Sequence, residues 1–148
     1  MEEERVISLK GIIIGAVVDF VGSMVVGFMV SAIYAANCVS SGGLTGAAAA
    51  EALQQCLMGS FSFLIICFAS GLFLTMIGGY VAATIAKASE LLNAGCVGVL
   101  GLMFTIIGDL ISMAKAPSPG WYMAAALILT LPAALLGGYL RQKSAPQL

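Results

Sequence analysis

The sequence predicts an all-α polytopic membrane protein, a four-helix transmembrane bundle, and three observations predict it. The 148 residues are 61% hydrophobic and 9% charged, with a mean hydropathy of +1.08, where a soluble domain of this length needs far more polar surface. Four segments, about Leu9–Ala36, Leu57–Ala86, Ala94–Ala114 and Trp121–Leu140, match the roughly 20 apolar residues of a bilayer-spanning helix. The runs are continuous, whereas a membrane barrel alternates apolar and polar residues. They leave almost nothing over, so residues 1–148 are expected to form a single transmembrane domain.

The first segment follows an acidic start, Met1-Glu2-Glu3-Glu4-Arg5. It is too long for a signal h-region and is expected to stay attached as a helix. The loop 37–56 is the longest. It opens with the turn-forming Ser40-Ser41-Gly42-Gly43, and Thr45 to Gln55 then reads as a short helix, alanine-rich and capped by Thr45. The second and third segments join through Lys87–Asn93. The third and fourth join through Lys115–Gly120, which carries Pro117 and Pro119. Short connections make successive helices antiparallel neighbours. Trp121 and Tyr122 open the fourth segment as interfacial anchors, and Pro132 within it is expected to kink the helix.

Lys and Arg set the orientation. Arg5, Lys10, Lys87, Arg141 and Lys143 fall on one side of the four segments and Lys115 on the other. Both termini are therefore expected in the cytoplasm, in a prokaryotic inner membrane, with loop 37–56 facing outward. The net charge of −1 and the absence of a basic patch give no support to nucleic-acid binding.

Gly78-Gly79-Tyr80-Val81 near the end of the second segment and Gly137-Gly138-Tyr139-Leu140 at the end of the fourth form a weak repeat. It suggests two helical hairpins in the same orientation, or chance in a glycine-rich chain. The run Gly78-Gly79-Tyr80-Val81-Ala82-Ala83-Thr84-Ile85-Ala86, followed by Ala94-Gly95-Cys96-Val97-Gly98, resembles small four-helix prokaryotic membrane proteins of the YrzE-like kind. Those carry a Gly-Gly-x-x-Ala/Gly stretch before a short inner loop and a Gly/Ala-rich start to the third helix. The resemblance covers about 20 residues and implies a fold and no chemistry. The long first loop and its cysteines depart from the pattern.

Small residues line up at about 100° per residue. Gly11, Gly15 and Gly22 share a face of the first segment. Cys67, Gly71, Thr75, Gly78 and Ala82 share one of the second. Ala94, Gly98, Gly101, Thr105, Gly108 and Ser112 share one of the third, and Ala126, Thr130, Ala133 and Gly137 one of the fourth. In lipid, small residues allow backbones to approach and helices to associate. The glycines are expected to pack the bundle itself or to form an interface with a second membrane protein or a second copy.

Two charges lie well inside the apolar segments. A carboxylate at the bilayer centre costs roughly 2.5–3.5 kcal/mol on insertion scales, so Asp19 must be protonated, paired or wet. Its depth brings Tyr80, Thr84 and Tyr139 near, and a tyrosine hydroxyl is the expected partner. Asp109 lies nearer the outer end of the third segment. The pair reads either as way-stations on a proton or cation path or as polar clamps between helices.

Cys38 and Cys56 flank the outer loop. They either bridge or pack as two unrelated small apolar residues, and Cys67 and Cys96 read as packing residues. With no histidine, no Cys-x-x-Cys and no nucleophile–base set or phosphate loop, neither a metal nor a cofactor nor catalysis is expected. The leading expectation is action by helix association in the lipid bilayer, as an accessory or scaffold subunit or a homo-oligomer. The alternative is a small transporter or channel that uses Asp19, with Asp109, on a proton or cation path.

Overall fold

A computed structural model describes residues 7–38, 46–86, 89–112 and 118–144. It contains α1 (Leu9–Cys38), α2 (Ala47–Gly59), α3 (Phe61–Ala86), α4 (Glu90–Ser112) and α5 (Gly120–Ser144). All but α2 are long and apolar enough to cross a membrane.

The element boundaries have local causes. The second span begins at Phe61 rather than Leu57, because Ser60 is extended and ends α2 (φ −86°, ψ 108°). Its hydroxyl then accepts the Phe63 N–H at 3.4 Å, capping α3. The third span begins at Glu90 rather than Ala94, with the Glu90 carboxylate in the first turn, where the helix dipole favours negative charge. The fourth runs to Ser144 rather than Leu140, with Arg141 and Lys143 in its last turn, the favourable end for cations. The helix continues through Pro132. The predicted short helix is present as α2, with Gly46 at its start; Thr45 lies outside the described residues.

Helix α3 is the hub and packs against α1, α4 and α5, while α4 also touches α1 and α5. Among the described residues α1 and α5 do not meet. The starts of α1 and α4 lie with the ends of α3 and α5, at what we call the terminal end; the other is the disulfide end. There Cys38 and Cys56 are bonded, with Cα atoms 6.1 Å apart. The bond ties α2 to α1, and Leu57, Phe63 and Leu64 seat it in a small apolar cluster with Val30 and Tyr34.

The terminal half is tightly packed. Ala82, Ala83, Asn93, Ala94, Val97 and Ala134 are fully buried there. A Cβ at Gly15 would lie 2.5 Å from the Gly78 carbonyl oxygen, and one at Gly11 would lie 2.9 Å from that of Ala82. Each Gly-Gly pair serves two neighbours. Gly79 meets the Ala134 carbonyl and Gly137 that of Met76, which joins α3 to α5. Gly78 faces Gly15 on α1, and Gly138 faces Ala94 on α4. Asn93 closes this end: its side-chain oxygen accepts the Ser8 N–H at 2.8 Å, and its Nδ2 donates to the Ser89 carbonyl at 3.0 Å.

Candidate functional site

The register of α1 against α3 fixes what Asp19 meets. The chains run antiparallel with Gly11 at Ala82 and Gly15 at Gly78. One turn further along α1, Asp19 faces one turn earlier on α3, which is Thr75. The Thr75 hydroxyl lies 3.1 Å from Asp19 Oδ1 and 3.2 Å from Oδ2 and donates to the carboxyl group. Both residues are buried, Asp19 at 8% exposure.

The expected tyrosine partners are elsewhere. Tyr80 and Tyr139 are 39% and 51% exposed, and the Thr84 hydroxyl donates to the Tyr80 carbonyl at 2.8 Å. Depth counted from the segment ends placed these groups opposite Asp19. The glycine contacts shift α3 so that its middle, not its end, lies there. Thr75 stands in the small-residue face of the sequence, which shows its direction but not its partner.

Above Thr75 the small-residue faces stop touching. A cavity of about 260 Å³ opens there, lined by all four long helices and reaching Asp19. Its polar groups are Asp19, Ser23, Thr75, Thr105, Tyr122 and Thr130. The Thr105 and Thr130 hydroxyls donate to the Gly101 and Ala126 carbonyls one turn back, at 2.9 and 2.6 Å, which leaves oxygen lone pairs for a further partner. Two glycines provide room. A Cβ at Gly101 would lie 3.4 Å from Asp19 Oδ2, and nothing lies within 4 Å of one at Gly71.

A second cavity, of about 180 Å³, adjoins the first through Phe104, Thr105 and Tyr122. It holds Asp109, Gln54 and Ser118. The Asp109 Oδ1 atom is buried and has no hydrogen-bond partner among the described residues. Gly108 faces open space, with nothing within 4 Å of its Cβ position. A third cavity, of about 260 Å³, shares Cys67 and Tyr122 with the first. Tyr122 therefore borders all three, a position that its reading as an interfacial anchor did not contain. Its neighbour Trp121 is exposed and meets Phe61 in a tilted ring contact, 5.6 Å between centroids.

Of the glycines aligned in the sequence, Gly11, Gly15, Gly22, Gly78, Gly98 and Gly137 face atoms of another helix closely enough that a Cβ would crowd them. Gly101 borders the carboxyl group, and Gly71 and Gly108 border voids. Asp19 and Asp109 do not share a site. They occupy adjacent cavities, Asp19 at the floor of one and Asp109 nearer the disulfide end. A carboxyl group in a mainly apolar cavity that several hydroxyls border can hold a proton or a cation. Compared with known proteins, the chain matches no family model, no curated protein and no solved structure.

Proposed function

We propose that this is an integral membrane protein that takes up a proton or cation at Asp19 from its disulfide-bearing face, as a small transporter or channel. The observation that carries the reading is the cavity that ends on the buried Asp19 carboxyl group. Intramembrane acids face cavities or partners and mark ion and proton pathways. Hydroxyl donors from Thr75 and Ser23 leave carboxyl lone pairs unused, so the group is suited to carry a proton or a cation in turn. The buried Asp109 oxygen in the adjoining cavity gives such a path a first station.

Lys and Arg placement supports cytoplasmic termini, and a disulfide belongs on the oxidising side. Both point the cavities outward. The Gly-Gly-Tyr match of the sequence supports two hairpin repeats; the contacts of the two pairs run in opposite order, Gly78 and Gly138 packing within their own hairpins and Gly79 and Gly137 across. Action by helix association has less to stand on, because most aligned glycines are used inside the bundle. A partner would meet mainly large apolar side chains, which lipid covers equally well.

The test is ion flux in vesicles reconstituted with the protein, under an imposed membrane potential and with an internal pH indicator. Wild-type protein gives a flux that Asp19→Asn abolishes while eluting as wild type from a sizing column. Equal flux in the variant overturns the reading. Absence of flux in both, with a stoichiometric partner recovered from mild detergent, would favour the accessory-subunit role.

A further inference from the structure

The reading of Asp19 as a cation site leaves the cation unnamed, and the walls of the cavity narrow it. Besides its polar groups, the cavity is bordered by two aromatic pairs. Phe20 and Phe104 sit with ring centroids 5.3 Å apart, and Phe68 and Tyr122 at 5.7 Å with their planes at 65°. All four rings line the same space as Asp19. Among the described residues that line it, none carries a positive charge.

At about 260 Å³, the cavity holds roughly eight water volumes. A bare alkali ion needs protein oxygens close on every side to replace its hydration shell, and in this space it would keep most of its water. A compact organic cation fits better. Its charge sits against Asp19 and its apolar groups lie against aromatic faces, which attract cations through the ring quadrupole. A single carboxylate matches a single positive charge.

We propose that the Asp19 cavity is a binding site for a compact organic ammonium ion, with Asp19 as counter-ion and Phe20, Phe68, Phe104 and Tyr122 as the aromatic wall. The ion enters as the carboxyl group gives up its proton, so the charge inside the cavity does not change. Phe20 and Phe104 are about half exposed and close the side between α1 and α4. Thr75 positions the carboxyl group through its hydroxyl.

The experiment uses purified full-length protein in detergent and benzyltrimethylammonium as the probe, measured by equilibrium dialysis with proton release followed in weak buffer. The expected result is saturable binding with one proton released per ion bound. Affinity falls at least about thirtyfold in Asp19→Asn, as for a buried charge pair that loses one partner, and roughly fivefold in Phe68→Leu. Gly71→Leu, which meets no atom within 4 Å of its Cβ, keeps the fold and removes binding by filling the space. The uncharged analogue with carbon in place of nitrogen does not compete. If sodium or potassium binds in an Asp19-dependent way and the ammonium does not, the cation site stands and the ammonium assignment falls. If the uncharged analogue binds equally and Asp19→Asn changes nothing, the cavity is an apolar hole and both readings fall.

Discussion

Gly15 and Gly71 stand on neighbouring helices, each in a face of small residues. At Gly15 a Cβ would come within 2.5 Å of a backbone oxygen and 2.8 Å of Ala82; at Gly71 it would find nothing within 4 Å. The same residue type closes the terminal half of the bundle and opens the disulfide half. In the first, glycine lets α3 approach α1 on one side and α5 on the other until their backbones touch. In the second, it withholds a side chain where four helices meet, and the space reaches a carboxyl group. A small residue in a long apolar helix therefore has two uses, and its neighbours across the interface decide which.

That contrast can be broken most severely at Gly15. Gly15→Leu should destabilise the protein by about 3 kcal/mol or more, since overpacking against backbone cannot be relieved by a rotamer change; reversible unfolding in mixed micelles measures it. Next in size, Cys56→Ser should cost up to about 3 kcal/mol by the chain-entropy account of loop closure. Its effect should fall on α2 and the disulfide half, with amide exchange in α2 rising while that of Ala82 to Val97 stays slow. Thr75→Val keeps the shape and removes the hydroxyl. It should cost about 1 kcal/mol, the scale of hydrogen bonds between membrane helices, and a loss within error would mean that Thr75 does not hold Asp19. Smallest is Gly71→Leu, expected within about 0.5 kcal/mol of wild type as for a site without packing contacts. A loss as large as that of Gly15→Leu would erase the distinction between the halves.

Much of this arrangement was legible in the residues. The four long runs marked the four long helices, and the two acids inside them and the flanking cysteines stood out by type and place. The unread part has a physical origin. Periodicity gives the face on which a residue lies, not how far the opposing helix stands from it, so Gly71 and Gly108 looked the same as Gly15 and Gly78. Depth along the apolar runs points Asp19 toward Tyr80, but depth does not fix register. Register is set instead by the Gly15–Gly78 approach, and Ser60 starts α3 four residues later than the apolar run. The cavity has no linear signature, since its lining comes from four helices at one level.

Uptake at Asp19 from the disulfide-bearing face requires water to reach the cavity above it. The two free cysteines test it without any new residue. Cys67 lines the cavity, while Cys96 packs against the core cluster of Ile12, Ala82 and Val97. In sealed membranes oriented with the disulfide loop outward, a small membrane-impermeant methanethiosulfonate should modify Cys67 and leave Cys96 unmodified, and Gly71→Leu should protect Cys67. Equal protection of both cysteines in the wild-type protein would contradict the account.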